Sequence, residues 1–89
     1  MRYDIVSLIS LLYFLQALAI AVEQGDTVSQ GSTNGNIGIA YQGLGEVSLA
    51  LEHLDAHLAI ARECEDAEGQ MKALSNLVGF FNHFSVILF

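Results

Sequence analysis

The sequence contains no proline and no tryptophan, one cysteine, and three lysines and arginines against ten aspartates and glutamates. Because proline is absent, no residue in the chain forces a helix to break. Cys64 cannot form a disulfide within the chain, which fits a reducing compartment and predicts a cytoplasmic protein. The formal net charge of −7 argues against nucleic acid and anionic membranes as partners, since both repel it.

Apolar residues are abundant for so short a chain. They make up 53% of the 89 residues, and the mean hydropathy is +0.46. A domain of this length buries a modest share of its surface and is marginally stable alone. The excess of apolar residues therefore indicates either packing against neighbouring repeats or contact with a membrane.

The first apolar segment, residues 5–22, has two interpretations. It carries no charge, and Ala17-Leu18-Ala19 resembles a signal-peptidase site, so by itself it is typical of a targeting segment or a marginal membrane span. However, Leu18-Ala19-Ile20-Ala21 recurs forty residues later as Leu58-Ala59-Ile60-Ala61. Three further pairs share this register, namely Asp26 with Asp66, Gln30 with Gln70, and Asn36 with Asn76. A period near forty favours stacked helical pairs.

Turn signals divide the chain into helices. Gly25-Asp26 is typical of a helix stop followed by an N-cap, and Gly43-Leu44-Gly45 of a tight turn. We predict one all-α domain in which residues 5–24 form the second helix of a partial repeat and residues 27–64 a complete helix-turn-helix repeat. Residues 67–82 would form the first helix of a following repeat, and residues 83–89 an irregular apolar tail.

Two helices carry apolar residues at helical spacing. On the long helix of the central repeat the pattern gives one apolar stripe, which consists of Val47, Ala50, Leu51, Leu54, Leu58 and Ala61. On the helix after it, the same spacing selects Met71, Leu74, Leu77, Val78 and Phe81.

Three glycines lower the helix propensity of the segment before the turn. Gly31, Gly35 and Gly38 each cost about 1 kcal/mol relative to alanine in a helix interior. They share one face, and we predict that this face allows another helix to approach closely. The alternative is a flexible loop over residues 31–36.

Chemical motifs for catalysis are weak. His53 and His57 lie four residues apart, a spacing that can hold a metal, but Leu54 stands where a zinc protease has glutamate. We therefore predict that both histidines are solvated surface residues and that the chain holds no metal or cofactor. No nucleophile, base and acid occur in a recognisable pattern, so we expect no enzymatic activity.

The central segment resembles a known family. The resemblance is to the tetratricopeptide repeat (TPR) family, and in particular to its long-repeat subclass, which includes tetratricopeptide repeat protein 28 and the Leu-Gly-Asn repeat-enriched proteins. The residues that carry it are Gly35-Asn36-Ile37-Gly38, Tyr41, Leu44-Gly45, Ala50-Leu51-Glu52 and Leu58-Ala59-Ile60-Ala61.

The resemblance implies a fragment of a right-handed α-solenoid of antiparallel helix-turn-helix repeats. Its structural positions in this chain would be Ile37, Gly38, Tyr41, Leu44, Gly45, Ala50, Leu54, Leu58 and Ala61. First helices line a concave groove in this family, so Asn36 and Asn76 would bond the backbone of an extended ligand, with Ile39 and Gln42 nearby. Asn34 and Val78 depart from the pattern, which has a large apolar residue and a glycine there.

The function that follows is a non-enzymatic protein-protein interaction scaffold that binds a peptide or protein segment. Self-association through the apolar ends is a further expectation. The alternative is a membrane-anchored or secreted small helical protein, with residues 5–22 as the targeting or anchoring segment.

Overall fold

The computed structural model describes residues 4–88, with side chains through residue 85. This part of the chain forms four α-helices: α1 (Ile5–Gln24), α2 (Thr27–Gly43), α3 (Val47–Glu63) and α4 (Ala67–Leu88). No strand occurs between residues 4 and 88, which confirms the predicted all-α class.

The three turns between the helices share one backbone geometry at twenty-residue intervals. A residue with positive φ occupies each turn: Gly25 at +67°, Gly45 at +77° and Glu65 at +54°. Its N–H donates to the carbonyl three residues back, and the next N–H donates to the carbonyl five residues back. This is the Schellman motif that ends many helices. The backbone therefore repeats every twenty residues, half the period found in the sequence.

Aspartates begin the two helices that lead the predicted repeats. The Asp26 carboxylate accepts hydrogen bonds from the Ser29 hydroxyl at 2.6 Å and the Ser29 N–H at 3.1 Å, and Asp66 accepts from the Gly69 N–H at 2.9 Å. These bonds from Ser29 hold the pKa of the Asp26 carboxyl below its usual range. Both caps satisfy N–H groups that the first turn of a helix leaves without partners.

The helices pack in chain order, with one additional contact. Each helix packs against the next one, and α2 also contacts α4. Within the described residues the backbone of α1 does not approach that of α3 or α4 as closely as neighbouring helices do, although Leu8 of α1 and Leu49 of α3 line one pocket. Helix α2 thus packs closely on three helices, whereas the α1 backbone lies close to α2 alone.

Glycines of α2 lie where α3 approaches most closely. A Cβ added to Gly38 would lie 2.7 Å from Leu54 Cγ, and one added to Gly31 would lie 2.9 Å from Ile60 Cγ2. Gly31 meets the C-terminal part of α3 and Gly38 the N-terminal part, so the two helices are antiparallel. The whole of Thr27–Gly43 is helical, and the structure excludes the loop alternative for residues 31–36. The glycine face expected from the sequence is confirmed as the site of close packing.

The core consists of two clusters that meet at Tyr41. One lies between α1 and α2, and the other between α3 and α4. Tyr41 packs against both, which explains why an aromatic residue stands at this position of the central helix pair. The α1–α2 cluster contains Leu11, Ile37 and Ala40, with Phe14, Leu18 and Leu44 beside it; the α3–α4 cluster contains Ala50, Leu54, Phe80 and Phe84, with Leu51 and Leu77 beside it.

The structure corrects two expectations about the last helix. Helix α4 continues to Leu88, so residues 83–88 are not an irregular tail; Phe89 lies outside the described residues. Phe80 and Phe84 are buried against α3, and their rings pack edge-to-face at 4.9 Å. The expected stripe is the other side of the helix, because four of its five members are exposed: Met71, Leu74, Val78 and Phe81.

Candidate functional site

A cleft between α1 and α2 contains two of the predicted partner-binding residues. Asn36 is half-buried on its wall, and Ile39, one turn further along α2, is 45% exposed. The cleft encloses about 270 Å³ and mixes two hydroxyls and one amide with apolar side chains. We call it the Asn36 cleft, and its lining residues are Val6, Ser7, Ser10, Phe14, Asn36, Ile39 and Ala40.

Helix α1 supplies the other wall of the Asn36 cleft. Ser7, Ser10 and Phe14 recur at helical spacing, so they share one face that points towards α2. Gly43 of α2 lies directly against the Ser7 side chain, where a larger residue would not fit. Sequence reasoning missed this wall because the same residues lie inside an apolar segment that resembles a membrane span.

The cap of α1 lies at one end of the cleft. The Asp4 carboxylate accepts from the Ser7 N–H at 3.2 Å, from the Ser7 hydroxyl at 3.0 Å and from the Val6 N–H at 3.0 Å. The bonds from Ser7 lower the pKa of the Asp4 carboxyl. These bonds fix the Ser7 hydroxyl at the cleft's edge and keep a negative charge beside it.

The remaining predicted binding residues lie elsewhere. Gln42 is half-buried near the end of α2 and does not line the Asn36 cleft. Asn76 is half-buried on α4, and its amide nitrogen is buried without a hydrogen-bond partner. The structure thus places Asn36 and Ile39 together, whereas the Asn76 amide is covered by protein.

A second cleft lies around His57, where α2, α3 and α4 meet. It also encloses about 270 Å³, and its lining residues are Val28, Ser32, His57, Asp66, Glu68, Gly69 and Lys72. His57 is 2% exposed, its ring lies against Gly35, and its Nδ1 has no hydrogen-bond partner. The expectation that His57 is a solvated surface residue is wrong. Gly35 leaves the space that the imidazole ring fills.

Burial shifts the protonation equilibrium of His57 towards the neutral form. Removal from water lowers the pKa of His57, and the positive charge of Lys72 lowers it further, while Asp66 acts in the opposite direction. The neutral imidazole is therefore the form that fits between the helices.

A polar pair lies between α2 and α3. Asn34 Oδ1 and His53 Nδ1 lie 2.8 Å apart, and the Asn34 amide donates to the Gln30 carbonyl at 2.8 Å. The His53 ring also stacks on Tyr41 with centroids 5.5 Å apart. His53 is half-buried, so it is only partly exposed to solvent and not the fully solvated residue that the sequence suggested. Asn34, where the TPR resemblance implies a large apolar residue, thus has a polar partner on α3.

Helix α1 is the one described helix that is long and apolar enough to cross a membrane. The most apolar 18-residue window has a hydropathy of 2.4, and 11% of it is buried inside the molecule. A signal sequence or a soluble core helix can have the same composition. No group of three His, Cys, Asp or Glu side chains among the described residues is close enough to hold a metal ion.

Comparison with protein-family models, curated protein sequences and solved structures finds no match. Function must therefore be inferred from the helix arrangement, the clefts and the exposed faces of this chain.

Proposed function

We propose that the chain is a TPR-type α-solenoid segment that acts as a non-enzymatic scaffold and binds a protein segment in the Asn36 cleft. The order of helix contacts supports this arrangement. In a stack of helical pairs, each first helix packs on its own second helix and on the first helix of the next pair. The close packing of α2 on α1, α3 and α4 has this order.

The observation that carries the binding proposal is the composition of the Asn36 cleft. An extended segment presents both backbone polar groups and apolar side chains. The cleft offers an amide and two hydroxyls for the former, and Phe14 and Ile39 for the latter. The half-buried Asn36 amide can both donate to and accept from a ligand backbone.

A display library of random 16-mer peptides, about the length of one helix of this fold, tests the proposal. Peptides are selected on the wild-type chain, and their affinities are measured by fluorescence anisotropy. We expect Asn36→Ala to weaken binding about tenfold, because one or two hydrogen bonds contribute about 1.4 kcal/mol. Asn82→Ala is the matched control, since Asn82 is exposed on α4 outside the cleft.

Two results would contradict the proposal. One is that no peptide is selected. The other is that Asn36→Ala and Asn82→Ala bind every selected peptide with wild-type affinity. If Asn36→Ala lowers helicity together with binding, circular dichroism will show it, and Asn36 then has a structural role.

A second candidate function, membrane anchoring through α1, is favoured by the high hydropathy of that helix and its small buried share. In that case α1 would leave α2, and the Asn36 cleft would no longer exist. Flotation with phosphatidylcholine vesicles tests this candidate. Retention of the chain on the vesicles after washing at high salt would support anchoring, and full recovery in the soluble fraction would exclude it.

A further inference from the structure

The outer side of α4 is an exposed apolar stripe. Four large side chains recur at helical spacing along it and are between 48% and 73% exposed. Phe80 and Phe84, on the other side of the helix, fill the core, so this stripe has no partner within the described residues. We call it the α4 stripe; it consists of Met71, Leu74, Val78 and Phe81.

The internal repeat shows what kind of surface the α4 stripe is. Forty residues before its members stand Gly31, Asn34, Gly38 and Tyr41. Each of these four α2 residues faces α3: the two glycines lie against Ile60 and Leu54, and Asn34 and Tyr41 both contact His53. The α4 stripe therefore occupies the face on which α2 receives its second helix.

A surface of α1 that includes two exposed residues and two residues beside α2 is the complementary surface. The α3 residues in that contact are His53, Leu54, His57 and Ile60, and forty residues before them stand Tyr13, Phe14, Ala17 and Ile20. We call these four the α1 face. Tyr13 is 67% exposed and Ile20 is 48% exposed, while Phe14 and Ala17 are half-buried. One chain thus carries, on α4 and on α1, surfaces equivalent to the two sides of its own α2–α3 contact.

We propose that the α4 stripe of one copy packs on the α1 face of a second copy, in the antiparallel register of α2 on α3. Met71 then meets Ile20 as Gly31 meets Ile60, and Val78 meets Phe14 as Gly38 meets Leu54. Leu74 meets Tyr13 where the polar pair Asn34 and His53 stands inside the chain.

The side chains fit this pairing. A contact between Leu74 and the Tyr13 ring replaces the internal Asn34–His53 hydrogen bond, and the Tyr13 hydroxyl is the one polar group at that point, which must stay in contact with water at the edge of the interface. Ala17 stands where α3 has the bulky His57, opposite Ser75 in place of Gly35. Large residues stand where α2 has glycines, so the two helices would lie farther apart than α2 and α3.

This arrangement is heterologous, because two different surfaces meet. Such contacts continue from copy to copy and produce rings or open chains rather than closed dimers. In this arrangement α4 of one copy would lie beside α2 of the next copy, in the way that α2 lies beside α4 within one chain. It would then cover the Asn36 cleft of that next copy. The inference therefore rests on the proposed function and names its partner: the protein segment at the cleft is α4 of a second copy, which would meet Asn36 through its side chains because the backbone of a helix is hydrogen-bonded internally.

Net charge opposes this association. Each copy carries a formal charge of −7, so copies repel one another at low ionic strength. Salt screens that repulsion within about 8 Å at physiological ionic strength and leaves the apolar contact intact. We expect association to strengthen as salt is raised, the opposite of an interface held by ion pairs.

Two charged variants and their mixture test the arrangement. Val78→Asp blocks the α4 stripe and Tyr13→Asp blocks the α1 face, and both sites are exposed, so folding should persist. Light scattering after size exclusion should show wild-type species larger than dimers at about 1 mM. The affinity of self-association should be about a hundredfold lower or more in each variant. An equimolar mixture retains one intact face on each partner and should form dimers and nothing larger.

Controls separate charge and folding from surface blocking. Ala59→Asp adds the same charge at an exposed position of α3 away from both faces and should associate like the wild type. Phe81→Asp and Ile20→Asp repeat the test if either first variant loses helicity. Peptide binding is also measured on Val78→Asp, whose own cleft is intact and uncovered.

Three outcomes would overturn the inference. The first is a wild-type chain that stays monomeric at about 1 mM and at high salt. The second is self-association of either variant alone, which would mean that like faces meet. The third is a monomer that binds phosphatidylcholine vesicles in a Tyr13-dependent way, which would assign the α1 face to lipid. If Val78→Asp still binds selected peptides in any of these cases, the proposed function is retained although the self-association inference is rejected. If no peptide binds but the mixture dimerises, self-association is supported and peptide binding is not.

Discussion

The same substitution at two glycines is expected to change stability by different amounts. Gly38 and Gly79 both lie within helices, so alanine at either position removes about 1 kcal/mol of helix-propensity cost. No atom lies within 4 Å of a Cβ added to Gly79, so the propensity gain is the whole effect there. We expect Gly79→Ala to raise the free energy of unfolding by about 1 kcal/mol.

At Gly38, close packing against α3 opposes the gain in helix propensity. The new Cβ would lie 2.7 Å from Leu54 Cγ and 3.1 Å from the Ala50 carbonyl oxygen, both closer than ordinary van der Waals contact. Leu54 is fully buried in the cluster that contains Phe80, so it has no free space to move into. Overpacking of this kind costs about 1–3 kcal/mol. The propensity terms cancel between the variants, so their stabilities should differ by that amount.

Urea unfolding followed by far-ultraviolet circular dichroism measures the difference. It is made at a protein concentration at which all variants are monomeric, because self-association would add to apparent stability. For a domain of this size, 1 kcal/mol corresponds to roughly 4–8 °C in Tm. Equal stabilisation by Gly38→Ala and Gly79→Ala would refute the close approach of α2 and α3. The larger Gly38→Leu should lower helical content as well.

Three further predictions concern the turns, the buried histidine and the polar pair. Glu65→Gly should raise the free energy of unfolding by about 1 kcal/mol and Gly45→Ala should lower it by a similar amount, because an L side chain is strained at positive φ. Thermal denaturation measures both changes, and the reverse order of Tm values would contradict the shared turn geometry. The lowered pKa of His57 means that its contribution to stability is present above its ordinary pKa of about 6.5 and is lost as the pH falls below that value. Urea unfolding midpoints measured from about pH 7.5 to pH 5 should therefore fall for the wild type and fall less for His57→Leu. Parallel curves for the two proteins would exclude His57 as the source of the pH dependence. A double-mutant cycle with Asn34→Ala and His53→Ala should give a coupling energy of about 0.5–1.5 kcal/mol, whereas additive losses would mean that the 2.8 Å contact contributes nothing.

Local signals in the sequence were sufficient to predict the helices. Gly25, Gly45 and the capping aspartates mark turns because the left-handed conformation favours glycine and short polar side chains satisfy free N–H groups. The end of α4 was missed because residues 83–88 carry only two polar side chains, His83 and Ser85, which are too few to show a helical period. Burial of Phe80 and Phe84 on α3 is a tertiary contact that stabilises this turn-free segment as helix.

The candidate site was partly predictable. Asn36 and Ile39 were selected through the resemblance, and the structure places them in one cleft. The wall from α1 could not be recognised, since Ser7, Ser10 and Phe14 become a surface only when α2 packs antiparallel beside them. Burial of His57 was likewise hidden, because it depends on the space left by Gly35 on another helix.

The sequence by itself determined the helical class, the turns and the forty-residue repeat, because each depends on residues close together in the chain. Tertiary structure alone decided which apolar face of each helix is covered. Helix α4 is apolar on two sides, and periodicity cannot distinguish the side that meets α3 from the stripe of Met71, Leu74, Val78 and Phe81 that remains exposed. That choice depends on which helices lie beside one another in space.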